Sequence, residues 1–163
     1  MSDPRNKPIV GRGAGINPPA RYVERARVAE SDGWDLGEEP LRAPETTVLP
    51  EHAKSMLSYN DSPDIGFDRS LNPYRGCEHG CVYCYARPAH AYMDLSPGLD
   101  FETKLFFKKD AAKLLERELR KTGYAPAMVS LGANTDPYQP IERKYKVTRS
   151  LLEVLSAYRH PVG

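Results

Sequence analysis

Neither sign of charge is in excess in this sequence: 23 Lys and Arg face 22 Asp and Glu, for a formal net charge of +1. A global basic field that would gather nucleic acid is missing, and so is an acidic one that would repel it. No apolar run approaches the roughly 18 residues of a membrane span. The opening MSDPRNKPIV also lacks the hydrophobic core of a secretory signal. Cysteine is scarce, with only three among 163 residues, all lying between Cys77 and Cys84. An odd number packed so closely excludes a disulfide framework. It points to a reducing compartment, read here as the cytoplasm, where thiolates stay available for metal. With 40% hydrophobic and 28% charged residues, the chain is neither membrane-spanning nor wholly disordered.

Proline is the residue in surplus, with 15 in all and eight in the first 65 positions. Residues 1–27 carry Arg5, Lys7, Arg12, Arg21, Arg25 and Arg27 against Asp3 and Glu24; residues 28–68 reverse the balance, with ten acids against Arg42 and Lys54. Apolar periodicity is poor throughout both stretches. A segment of this kind cannot bury enough surface alone to offset its conformational entropy. Residues 1–68 are therefore expected to form a proline-rich, largely irregular extension, and the basic stretch to be a solvated tail. The glycine-rich GRGAGI (Gly11 to Ile16) follows no strand and opens no helix, so it reads as a flexible turn rather than a phosphate loop.

From residue 69 the pattern is α/β. KLFFK (Lys104 to Lys108) reads as a short strand, and Asp110 as the N-cap of a helix running to about Lys121 with Ala111, Leu114, Leu115 and Leu119 on one face. AMVSL (Ala127 to Leu131) is a second strand, ending in the polar turn Gly132 to Pro137. Lys144 to Arg159 is a second amphipathic helix, with Val147, Leu151, Val154, Leu155 and Tyr158 on its stripe. His160 to Gly163 looks like the entry to a further strand. This alternation implies a parallel sheet with right-handed crossovers.

The three cysteines are spaced C-x3-C-x2-C in Cys77-Glu78-His79-Gly80-Cys81-Val82-Tyr83-Cys84. Thiolates this close can converge on one metal centre from a single loop, with Gly76 and Gly80 permitting the turns. A closed structural zinc or a fully ligated cubane needs four protein ligands, whereas three leave one iron of a cubane open. His79 or His90 is the candidate fourth ligand of a zinc site. His79, however, lies between two of the cysteines, and the distant second C-x2-C pair usual for zinc is missing.

The C-x3-C-x-Tyr-C pattern resembles the cluster motif of the radical S-adenosylmethionine (SAM) superfamily. NPYRGCEHGCVYCYARPAHAY, SPGLDFETKLF and LGANTDPYQPIE resemble one bacterial branch of it, described as DNA-repair-photolyase-like and related to spore photoproduct lyase. The resemblance covers about Ser70 to Gly163, with GRGAGINPPARY matching as well. It implies that Cys77, Cys81 and Cys84 hold a [4Fe–4S] cluster whose open iron chelates SAM. It further implies reductive cleavage to a 5′-deoxyadenosyl radical that abstracts hydrogen from substrate, and a one-electron donor of flavodoxin or ferredoxin type. Tyr83 would lie beside the adenine. Asn134, Thr135 and Asp136, at the carboxyl end of a barrel strand, are the candidate contacts to the cofactor's amine or ribose. The usual Gly-Gly-Glu signature for the amine is absent.

Around that site, Tyr85, Arg87 and His90 are expected to pack the helix after the cluster rather than line the pocket. Arg75 either tunes the cluster or caps its loop. Tyr138 and Gln139 are candidates to reach substrate, although a tyrosine beside such a turn is more commonly buried. A nucleic-acid substrate follows only by association with the branch. Spore photoproduct lyases use a further cysteine to return hydrogen to product; Ala133 and Asn134 stand where it is expected, which disfavours thymine-dimer reversal by that route. The implied fold is a partial (βα)6-type barrel over residues 69–163. About 95 residues are left for it where βα barrels take roughly 200 or more. The sequence thus reads as an N-terminal portion, cut after about three βα units and expected to expose an unpaired sheet edge.

Overall fold

The computed structural model describes residues 11–21 and 44–163. Readings placed on residues 1–10 and 22–43, including Arg5, Lys7, Arg25 and Arg27, lie outside the described residues. The chain divides into two compact units that interleave in sequence. The first comprises Met1–Thr47 and Gly76–Leu105, the second Val48–Arg75 and Phe106–Gly163. Residues 1–68 and 69–163, distinct in composition, each contribute to both.

The elements in chain order are β1 (Thr47–Glu51), β2 (Leu57–Tyr59), β3 (Arg69–Leu71), β4 (Tyr74–Arg75), a 3-10 helix (Arg87–Met93), α1 (Leu99–Thr103), β5 (Lys104–Lys108), α2 (Ala111–Leu119), β6 (Ser130–Leu131), α3 (Glu142–Tyr145) and α4 (Val147–Ala157). They make two three-stranded sheets, ordered β1-β5-β4 and β2-β3-β6. An irregular stretch was expected before residue 69, yet β1 and β2 lie within it. The main chain of β2 finds partners in β3, with Leu57 opposite Leu71 and Tyr59 opposite Arg69 in antiparallel register.

An all-parallel sheet is also not what forms. β3 and β6 pair in parallel, Ser70 to Ser130 and Leu71 to Leu131, but β4 and β5 are antiparallel, Tyr74 facing Phe107 and Arg75 facing Phe106. KLFFK and AMVSL fall in different sheets, and of AMVSL only Ser130 and Leu131 are strand. His160 to Gly163 contributes one parallel bridge, Val162 to Val129. No closed barrel is present among the described residues. No helix among them is long and apolar enough to cross a membrane.

The second unit is held by α2 packing on α4. Ala111, Leu115 and Leu119 of the first and Val147, Leu151 and Leu155 of the second are buried, at the helical spacing read from the sequence. Two details differ from that reading. Asp110 does not cap α2 through its side chain, which lies 4.0 Å from Lys113 Nζ. The final helix begins at Val147 rather than Lys144, because Lys146 takes a left-handed conformation (φ 51°) that closes α3. The cause is Glu142, whose carboxylate accepts the free amides of Thr148 and Arg149, each at 3.0 Å, and so starts α4 afresh. The Tyr74 hydroxyl donates to the same carboxylate, and burial followed by Glu142 pushes its pKa above the usual tyrosine range.

Candidate metal centre

The first unit carries the cysteine loop. Its small core joins Cys77, Ala86 and Phe101, with Cys84 packed alongside. Cys77 is fixed at one end by its own amide, which donates to the Phe101 carbonyl at 3.0 Å. The loop enters through Gly76 (φ +74°), where a Cβ would stand 2.7 Å from Leu105 Cδ2 and 2.8 Å from the Phe101 carbonyl oxygen. Cys84 N donates to the Cys81 carbonyl at 3.2 Å and closes a turn. None of the three cysteines is in a disulfide: Cys77 is buried, Cys84 partly buried and Cys81 exposed. Val82, Tyr83 and Tyr85 project outward, Tyr83 being 86% exposed.

Arg87 does more than pack its helix. Its Nε and Nη2 donate to the Cys81 carbonyl at 3.1 and 3.0 Å, and Nη1 reaches the carbonyls of Pro97 and Gly98 at 3.3 and 3.1 Å. Its guanidinium lies over the Phe101 ring, 5.3 Å from the centroid. The group that pairs with it is Glu102, 2.5 Å from Nη2 and with a fully buried side chain. Glu102 was not singled out by sequence reading, although FET lies inside one of the matching segments. Its carboxylate also accepts the amides of Gly13 at 3.0 Å and Ala14 at 2.7 Å. GRGAGI is therefore anchored rather than free.

His90 is wholly buried, donates from Nε2 to the Lys104 carbonyl at 2.9 Å and meets Phe101 edge-on, so it packs as expected. This engagement takes one ring nitrogen away from any zinc role; His79 is exposed on the loop.

The remaining candidates fall in the second unit. The turn follows β6 directly. Gly132 N donates to the Leu71 carbonyl at 2.9 Å, and Asn134 N donates to Asn72 Oδ1 at 2.8 Å. Thr135 is buried with its hydroxyl on the Tyr74 carbonyl at 3.3 Å, whereas Asn134 and Asp136 are exposed. Asp136 Oδ1 accepts Tyr138 N at 2.7 Å, which is the Asx turn that such a sequence favours. Tyr138 is 66% exposed and Gln139 buried, so the tyrosine is not the side chain that packs beneath the turn. Arg75 is in this unit too, with Nε 2.8 and 2.9 Å from the two oxygens of Glu51.

Among the described residues no three His, Cys, Asp or Glu side chains stand together as a preformed metal-binding group. The chemistry of the donor set nevertheless fits an iron–sulfur cluster taking three protein ligands. Three cysteines outside any disulfide lie within eight positions, and the chain holds no fourth.

No family model matches the chain, and no solved structure matches it. Mycobacterial sequences do, among them the uncharacterized proteins Mb2609c of Mycobacterium bovis and Rv2578c of Mycobacterium tuberculosis. Each is 38% identical over 127 residues, covering 76% of this chain and 37% of the relative. The uncharacterized protein MJ0683 of Methanocaldococcus jannaschii is 26% identical over 100 residues, covering 61% of this chain and 36% of its own. The chain thus spans little more than a third of the length of the curated relatives it matches.

Proposed function

We propose that this chain belongs to a radical SAM enzyme, and that Cys77, Cys81 and Cys84 are the ligands of a [4Fe–4S] cluster with one open iron. The observation that carries the reading is the number and spacing of the thiols: three, in C-x3-C-x-Tyr-C, with no fourth to close the cluster. When bound, the cluster and SAM together supply a one-electron cleavage of the cofactor that yields a hydrogen-abstracting 5′-deoxyadenosyl radical.

The chain's own residues hold and orient. Cys77 is anchored through its amide and enclosed by Phe101 and Ala86. Arg87 restrains the Cys81 carbonyl with two donors. Tyr83, exposed beside the last cysteine, offers a ring face for an adenine. Asn134 and Asp136 are the exposed polar groups of the turn after β6, and Thr135 supports that turn from inside. A partial (βα)6-type barrel, a flavodoxin- or ferredoxin-type donor and a nucleic-acid substrate belong to the same proposal for the whole protein.

Anaerobic reconstitution of the full chain with iron and sulfide, followed by dithionite and SAM, tests the reading. The expected result is uptake of about four irons per chain and release of 5′-deoxyadenosine. Stoichiometric zinc without cofactor cleavage would overturn it in favour of a non-catalytic metal-binding module.

A further inference from the structure

The N-terminal glycine segment is built onto the cysteine loop, and we propose that Gly11–Asn17 is a strap that holds this loop for metal, with Glu102 and Arg87 as its positioning residues. The inference rests on the reading of the three cysteines as cluster ligands, and adds to it what presets their loop.

Contacts of four strap residues, Arg12, Gly13, Ala14 and Asn17, carry the proposal. At one end Arg12 Nη2 donates to the Pro44 carbonyl at 3.0 Å and to Thr46 Oγ1 at 2.7 Å; Thr46 Oγ1 in turn donates to Glu78 Oε1, inside the loop, at 3.0 Å. In the middle the amides of Gly13 and Ala14 converge on the buried carboxylate of Glu102. The same carboxylate pairs with Arg87, which grips the Cys81 carbonyl, so strap and ligand share one hydrogen-bonded chain. At the far end Asn17 Nδ2 donates to Asp100 Oδ1, and Asp100 N returns a bond to Asn17 Oδ1, each at 3.1 Å.

Glycine is required at the crossing point. A Cβ on Gly13 would stand 1.6 Å from the Gly80 carbonyl oxygen, a distance no side-chain carbon tolerates, and both partners there are backbone. Two residues on, a Cβ on Gly15 would meet nothing within 4 Å. The glycines are therefore not interchangeable. Only the first marks a close approach to the loop between Cys77 and Cys81.

The buried carboxylate of Glu102 accepts two amides and an arginine, and removing any one of them leaves the others with an unmet hydrogen-bonding demand. Loss of the strap should thus loosen Cys81 without touching a thiol. A loop already restrained loses less freedom when metal binds, so the strap is expected to slow metal loss rather than to contact metal.

Two readouts on the full chain test this. Trypsin cleavage of the Arg12–Gly13 bond, followed by mass spectrometry on metal-free protein, reports release of the strap. Loss of iron from reconstituted protein to a chelator reports its grip on the loop. Gly13→Ala and Glu102→Gln are expected to raise both rates by about tenfold, near 1.4 kcal/mol, while Gly15→Ala changes neither. Arg87→Ala should speed iron loss, and Arg87→Lys should restore part of it by keeping the charge against Glu102 without the two-pronged contact. Asn17→Ala, which releases only the far anchor, serves if Gly13→Ala does not fold, and should raise cleavage and iron loss together.

Unchanged cleavage in Gly13→Ala, or faster cleavage with iron loss unaltered, would overturn the proposal. If the wild-type chain binds only zinc, the iron–sulfur reading fails. The same comparison run on zinc release then still decides whether the strap holds the loop.

Discussion

Lys108 carries an unusual burden for a surface-loving side chain. It is buried at the end of β5, and burial holds its pKa below the ordinary lysine value of 10.5; Glu51 opposes that shift, while Arg75 adds to it. The nearby carboxylates are engaged elsewhere, Glu51 by Arg75 and Glu118 by the amides of Met56 and Leu57 at 3.0 Å each. Between the lowered folded pKa and 10.5 the unfolded chain binds the extra proton, so stability rises with pH across that window. Replacing the ammonium with a hydrophobe of similar length removes the cost of burying it. Lys108→Met is expected to raise unfolding stability at neutral pH by about 1 kcal/mol and to abolish the rise at alkaline pH, as read by urea titration at several pH values. A less stable variant with the rise intact would show that the ammonium is a net asset.

Residue-level legibility followed sequence distance. The three cysteines stand out in the sequence because their C-x3-C-x2-C spacing is local. Glu102 did not, because the amides it binds lie 89 and 88 residues away, and nothing in the spacing of an acid and a glycine links them.

Among the elements, the helices α2 and α4 were readable because each buries one stripe, and the periodicity of that stripe is written along the chain. Strand partners were not. Both hydrogen-bonding edges of KLFFK are satisfied by β1 and β4, segments of low apolar content on the other side of the cysteine loop in sequence. The break at Lys146 was equally hidden, since Glu142 looks like one more exposed helical acid until its carboxylate is seen on the α4 amides.

The turn after β6 offers a test at this scale. Gly132 (φ +81°) would place a Cβ 2.5 Å from Pro137 Cδ and 2.9 Å from the Thr135 carbonyl oxygen, whereas Gly123 (φ +83°) would place one in open space. Both alanine variants incur the left-handed conformational penalty of about 1 kcal/mol. Gly132→Ala adds the clash, for a total expected cost of about 2–3 kcal/mol. Equal losses in chemical denaturation would mean that the turn yields and does not hold Asn134, Thr135 and Asp136 in a set geometry.

On the scale of the whole molecule, composition was informative mainly through what it withheld. Charge balance left the substrate open, and the proposed function rests on the spacing of the three cysteines. The expected parallel sheet gave way to two small three-stranded sheets, in which β2, from before residue 69, pairs antiparallel with β3 and β4 pairs antiparallel with β5. Composition cannot reveal such pairing when the burial that justifies it is supplied by distant partners. The mycobacterial relatives are longer than this chain, whose match covers 37% of their length.

The central claim is that three thiols leave one iron free for SAM. Low-temperature electron paramagnetic resonance of the reconstituted, dithionite-reduced full chain, recorded with and without SAM, addresses it without requiring turnover. The account predicts a reduced cubane signal whose shape changes on addition of SAM and which is lost in Cys84→Ala. A signal indifferent to SAM, or no cubane signal in a chain loaded with zinc, would contradict it.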